Sequence, residues 1–434
     1  MNGLLKAFVA AGLVVLAGCG DEEIILEGPR EALRPSQDQP ETVNRTLPIS
    51  LPPAVANADW DHKGGSQTHA IRHPALRQPL SLVWSADIGA GNSRGQRLTA
   101  DPIVWSDRVF TLDSEAQVSA FDLSGSALWT TDLTPPGERR GEASGGGIAA
   151  DGGRIFVTTG FGRVTALDPA SGAVIWEQQL EAAATGAPMA ADGVVYLTTR
   201  NAAGWAIDAA TGRILWQVLG TPEERSLVGG PSPALSGELV IFPFASGQLV
   251  SAVRSTGGRA WIASVAGQRA TRAFSRVRDL TGDPVVTGGR VYAGSHGGRT
   301  SAMDAASGTV LWTAEAGAMS PVWVDGGSVF LVSDRNRLIR LDAETGETIW
   351  SVELPFFAAD RESRRKTAFA HYGPVLAGGR LVVLSDDGVI RNFDPASGAL
   401  LSTDTLPDGA ARNPVVAGGV LYVVTEDGRL HAFR

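Results

Sequence analysis

The stretch Ala302-Met303-Asp304-Ala305-Ala306-Ser307-Gly308-Thr309-Val310-Leu311-Trp312 decides the architecture, because much of the chain is variation on it. Tryptophans at 84, 129, 176, 216, 261, 312 and 350 recur at intervals of 38 to 51 residues, and most close the same phrase. A phrase repeated at that period is one supersecondary unit copied around an axis or along a solenoid. Ahead of it in the same copy stand Asp283-Pro284-Val285-Val286, then Gly288-Gly289-Arg290-Val291-Tyr292-Ala293-Gly294, then Gly298 through Asp304. Each piece has strand length and alternation, and each joint carries Gly, Asp or Ser. This pattern predicts four antiparallel strands joined by tight hairpins, the blade of a propeller.

Copies end at Trp129, Trp176, Trp216, Trp261, Trp312 and Trp350, and a seventh ends at Ser402, where the tryptophan is missing. An eighth begins at Pro414-Val415-Val416 and stops at Leu430-His431-Ala432-Phe433-Arg434, where its outermost strand should start. Leu82-Val83-Trp84 carries the tryptophan of a fourth strand with no blade of its own. The expectation is an all-β, eight-bladed β-propeller over residues 58–434, closed by pairing the N- and C-terminal strands so that no sheet edge is left open at the seam. Within the phrase, the aspartate carboxylate can accept backbone N–H bonds across the turn, and glycine supplies positive φ. Asp168, Asp208, Asp304, Asp342 and Asp394 lie four residues before such a glycine, Asp122 stands in a shorter version, and Val253 replaces the aspartate in the fourth blade. The tryptophans are expected to wedge between neighbouring blades.

Fifty-three glycines in 434 residues suit short strands and tight turns rather than helical bundles. A net charge of −9 argues against a nucleic-acid partner. The one basic run, Arg361, Arg364, Arg365 and Lys366, reads as a solvated loop, with a contact to acidic lipid or protein as the alternative. The single cysteine, Cys19, excludes an internal disulfide framework. Lys6 supplies a positive n-region, Ala7 to Val15 an apolar stretch, and Leu16-Ala17-Gly18-Cys19 ends it. Small residues before a cysteine at that place resemble a bacterial lipobox, which implies a signal peptide over 1–18 and lipidation of Cys19; an ordinary secretory signal is the plainer alternative. Gly20 rather than aspartate follows the cysteine, and by resemblance to envelope sorting signals this implies anchoring at the outer membrane with the body in the periplasm. Residues 19–57, with prolines at 29, 35, 40, 48, 52 and 53, read as a flexible tether.

Chemistry has few candidates. His62, His69 and His73 cluster before the propeller and could bind a transition metal, but a solvated or turn-capping role is favoured because no carboxylate or thiolate is placed with them. No catalytic residue, metal site or cofactor site is assigned.

The phrase Ala-x-Asp-x-x-(Ser/Thr)-Gly-x-x-x-Trp resembles the tryptophan-docking motif of quinoprotein-type (PQQ-like) propellers. Two functional groups share that fold, the PQQ-dependent dehydrogenases and the BamB family of outer-membrane assembly lipoproteins. Lipobox, tether and a bare propeller resemble the latter. That resemblance implies a non-catalytic scaffold that docks a BamA-like barrel subunit and helps nascent outer membrane proteins. The dehydrogenase alternative implies adjacent cysteines and Ca²⁺ ligands beside a quinone, and no cysteine follows Cys19. A periplasmic binder of a small ligand in the axial channel is a third possibility. The irregular loops flanking the fourth blade, 223–230 and 274–283, resemble the pair with which the family grips its partner. Residues Leu227, Arg276 and Asp279 match, while Val228 and Thr281 depart from the family pattern, with Arg225 and Asp283 as candidate replacements.

Overall fold

Among the described residues, which are 44–223, 229–267, 279–359, 361 and 365–434, the computed structural model contains eight four-stranded antiparallel sheets arranged as a propeller. Blades 1 to 7 span 103–132, 146–179, 189–219, 234–264, 285–314, 323–353 and 371–405. Blade 8 takes three strands from 415–433 and its fourth, Leu82–Asp87, from the other end of the chain. That strand pairs with Arg429–Phe433 from Leu82 against Phe433 to Asp87 against Arg429, as expected from the spare tryptophan. Burial explains the composition of each blade. In blade 3 the second and third strands, Val194–Thr198 and Ala203–Asp208, are covered almost throughout, whereas the outer Ile214–Leu219 is largely exposed. Among the described residues the one helical element is a single 3-10 turn at Lys63–Gly65, and no described helix is long and apolar enough to cross a membrane.

The repeated phrase has a physical account at every position. Its alanine faces the tryptophan across the third and fourth strands, as Ala302 faces Trp312, and the register slips by one residue immediately after. The small side chain leaves room for the indole, and the bulge turns it toward the next blade. There the indole N–H donates to the carbonyl that follows the next blade's turn aspartate: Trp84 to Leu123 (3.0 Å), Trp129 to Pro169 (3.0 Å), Trp261 to Ala305 (3.1 Å), Trp350 to Pro395 (3.2 Å). The turn glycine lies flat on the ring. A Cβ on Gly308, whose φ is +71°, would stand 2.6 Å from Trp261 Cε3. The aspartate carboxylate accepts from the turn's hydroxyl and N–H groups, as Asp304 does from the Ser307 hydroxyl and the Ser307 N–H, each at 2.8 Å; the hydroxyl first, then the N–H, holds its pKa below the usual carboxylate value.

The seventh blade lacks its tryptophan because the turn it would dock on does not exist. The third and fourth strands of blade 8 come from opposite ends of the chain, so no hairpin joins them. Residues 76–78 occupy that junction. Arg380 donates to the carbonyls of Leu76 (3.1 Å) and Arg77 (2.8 Å), and Gln78 Nε2 donates to Ser402 (2.9 Å).

The segment before the first strand departs from expectation. Residues 44–57, assigned to the tether by composition, lie against blade 6 and its neighbours, with Arg45 N–H on the Ile349 carbonyl (3.0 Å) and Arg340 donating to Leu47 O (2.7 Å). Residues 57–74 then run round the inner strands. Trp60 pairs with Val104 of blade 1, Asp61 O accepts from Ala150 of blade 2, and Gln67 O accepts from Leu235 of blade 4. Thr68 O accepts from Val286 of blade 5, Pro74 O from Gly378 of blade 7, and Asn57 O from Gly418 of blade 8. The three histidines are therefore buried rather than solvated. His62 Nε2 meets Ala190 of blade 3, His69 Nδ1 meets Pro284 O (2.8 Å), and His73 accepts from Gly379 N–H (2.7 Å). Their role is to staple this segment to backbone that has lost water, which sequence composition does not reveal.

Trp350 is fully buried, so Trp350→Ala should cost about 3–5 kcal/mol in denaturant titration; a loss well under 1 kcal/mol would show that the wedge does not hold the junction. A second expectation concerns pH. Burial holds the pKa values of His69, His371 and His431 below the ordinary 6.5, so the unfolded chain takes up protons that the folded chain refuses. Stability should accordingly fall as pH drops from about 7 to about 5.5, read as a steady decrease in Tm. A Tm that stays flat over that window would contradict it.

Candidate functional site

One end of the ring is covered by the 57–74 segment, and the other carries the connections between blades. Two of those connections, on either side of blade 4, interrupt the repeat: 220–233 and 265–284. Their described ends are brought together. Between them lies an open cleft of about 400 Å³, bordered by Arg200, Glu223, Pro231, Phe244, Asp279 and Leu280. The base of the first connection is fixed by backbone pairing of Gly186 with Gly230, with the Gly230 N–H on Thr185 O at 2.6 Å. A Cβ on Gly186 would stand 2.0 Å from the Gly230 carbonyl, so the close approach of two backbones requires glycine there. The second connection is fixed by pairing of Leu280 with Ser295 and by the His296 N–H on Asp279 O at 2.9 Å. Thr281 also donates its hydroxyl to the Ala318 carbonyl of the following connection, which gives that departure from the family pattern a packing role.

The candidate residues fall unequally. Arg225, Leu227 and Arg276 lie outside the described residues. Asp279 borders the cleft and is 4% exposed. Asp283 is not at the surface. It is 1% exposed, its Oδ1 accepting from Lys63 Nζ at 3.0 Å and from the Ser232 N–H at 2.6 Å. As a direct partner contact it is displaced by an internal role, tying the second connection to the first and both to the 57–74 segment. Lys63 Nζ also reaches the Gly230 carbonyl at 3.4 Å. Deleting either member of such a buried pair leaves an uncompensated charge, at a cost of about 3–5 kcal/mol. Sequence reasoning missed Lys63, Ser232 and Arg200. The only signal for Lys63 was its place among the three histidines, and its meaning depends on that segment folding inward.

A second, open recess lies on the inner side of blades 6 to 8 and is lined by Trp60, His69, Asp101, Trp323, Pro374 and Asn413. Its one carboxylate is satisfied by protein, Asp101 accepting from Arg412 Nε at 2.8 Å and Asn413 Nδ2 at 3.0 Å. Among the described residues no three His, Cys, Asp or Glu side chains are grouped so as to hold a metal ion.

Comparison with known proteins follows the repeat. A family model described as outer membrane protein assembly factor BamB matches residues 114–352 and 359–434. The outer membrane protein assembly factor BamB of Salmonella typhimurium is 32% identical over 252 residues, which cover 56% of this chain and 63% of the relative. That of Moranella endobia is 26% identical over 249 residues, covering 56% and 64%. The matches thus span just under two thirds of the relatives' length. Among solved structures, BamB from Moraxella catarrhalis superposes with a TM-score of 0.68 at 20% identity, covering 82% of this chain and 100% of that one. A quinohemoprotein alcohol dehydrogenase from Comamonas testosteroni superposes with a TM-score of 0.66 at 17% identity, covering 88% and 81%. At those identities the superpositions speak for the propeller alone. The family model, running from the first blade to the last, speaks for more: the chain belongs to the outer membrane protein assembly factor BamB family.

Proposed function

We propose that the protein is a non-catalytic scaffold of outer-membrane protein assembly, lipid-anchored through Cys19 at the outer membrane and facing the periplasm. Its partner is a BamA-like barrel subunit, and its contribution is to help that subunit fold and insert nascent outer membrane proteins. The observation that carries this reading is the convergence of the two irregular connections on one cleft. By sequence both resemble the pair with which the family grips its partner, and a cleft shared by their described ends is what two loops need to hold one partner element. The family's name supports the assembly role. The one carboxylate lining the inner recess, already spent on Arg412 and Asn413, supports a scaffold over a quinone enzyme.

Interfaces of this kind concentrate their energy in a few anchors near the centre. The double variant Leu227→Ala/Arg276→Ala should therefore lower recovery of the barrel subunit from solubilised envelopes by roughly tenfold or more, with Tm unchanged. Full recovery would remove these loops from the interface. Mass spectrometry of the mature amino terminus should find an acylated Cys19, and an unmodified terminus elsewhere would remove the anchor.

A further inference from the structure

The described flanks of the connection between blades 6 and 7 pair with each other as a hairpin. Phe357 pairs with Ala368, the Ala358 N–H bonds Thr367 O at 3.1 Å, and the Phe369 N–H bonds Phe356 O at 2.9 Å. Its base is rigid. His371 Nε2 and Asn336 Nδ2 meet the Pro355 carbonyl at 2.8 and 3.2 Å, and Asn336 also donates to Phe369 O at 2.8 Å. Beyond that base the described side chains turn outward: Phe357 is 41% exposed, and Arg361, Arg365 and Lys366 are exposed too. The Phe356 and Phe357 rings sit 4.6 Å apart, with the Arg365 guanidinium 5.2 Å from the Phe357 centroid. An aromatic pair and cations at one tip, on a chain of net charge −9, make a local chemistry unlike the rest of the surface.

The amino-terminal segment points to the same corner. Arg45 N–H bonds the Ile349 carbonyl, and Asn44 exchanges bonds with Ser351, giving its Nδ2 to Ser351 O (3.2 Å) and accepting from Ser351 N–H (2.9 Å). Traced backward from 45 to 44, the chain advances along the outer strand Thr348–Glu353 toward its end, where the hairpin begins. Residue 44 is thus delivered to the blade that carries the aromatic and basic tip, and 24 residues separate it from Cys19.

We propose that this hairpin rests on an anionic phospholipid surface beside the lipid anchor, with Phe356 and Phe357 at the level of the headgroups and Arg361, Arg365 and Lys366 on phosphates. Aromatic rings favour that boundary because one side is apolar and the other wet, and long basic side chains reach from it to charge. An acyl anchor alone sets distance from the bilayer but not orientation. A second contact on the same blade supplies orientation, and basic residues near an anionic surface add to the binding. The inference rests on the reading of Cys19 as the anchor only for its biological setting, because the contact itself needs no acyl chain.

The test uses the mature chain with Cys19→Ser, which carries no lipid, in flotation with vesicles of phosphatidylethanolamine and phosphatidylglycerol, against vesicles of phosphatidylcholine alone. The Cys19→Ser chain, otherwise unaltered, should float with the anionic vesicles and be released by salt. Arg365→Glu/Lys366→Glu should weaken flotation by roughly tenfold or more, and Phe357→Ala should weaken it without changing Tm. No flotation, or equal flotation of all variants, would overturn the proposal. So would loss of the barrel subunit from these variants while vesicle binding stays intact, since that outcome makes the tip a protein contact. Failure of the anchor reading would appear separately, in the mass of the mature terminus.

Discussion

An indole that wedges against the neighbouring blade does two things at once, and the rest of the ring depends on their coincidence. It removes a large apolar area from water, and its N–H meets the carbonyl that the next turn exposes. The glycine beneath it has to lack a side chain and adopt positive φ, so the turn that accepts the indole is the turn that glycine already favours. Packing, hydrogen bonding and turn chemistry thus select the same residues, which is why the phrase tolerates so little variation. Where one element is missing the others change with it. Blade 7 has Ser402 because blade 8 has no hairpin to receive a tryptophan, and Arg380 with residues 76–78 fills the junction by polar means.

The same logic divides what the amino-acid order discloses from what it hides. Period, blade count and the borrowed strand at 82–84 are legible because the repeats carry their own turn signals and all but the seventh carries a tryptophan. The 44–76 segment is illegible because it has no period. Its prolines and polar residues satisfy a composition rule for disorder, yet blades 1 to 5, 7 and 8 offer backbone groups at the inner rim, and the segment supplies the complement. His62, His69 and His73 are read as solvated only if that destination is unknown. The partner loops are half legible: their irregularity marks them, but their residue roles do not follow from it. Asp279 stays at the cleft, while Asp283, four residues on, turns inward to Lys63.

That inward turn connects the seal of the ring to the face proposed for docking. Lys63 belongs to the segment that closes one end, and its ammonium sits between the Gly230 carbonyl and the Asp283 carboxylate, the bases of the two connections that open at the other end. A buried pair of this kind is a poor source of net stability, since desolvation cancels much of the attraction. What it supplies is a fixed distance. With Ser232 N–H on the same carboxylate oxygen, the two connections cannot separate without exposing an unpaired charge. Rigid bases suit a surface that must present the same spacing to a partner every time. In this protein that spacing is set by a residue from outside the repeat, which is why the propeller alone would be an incomplete account of the site.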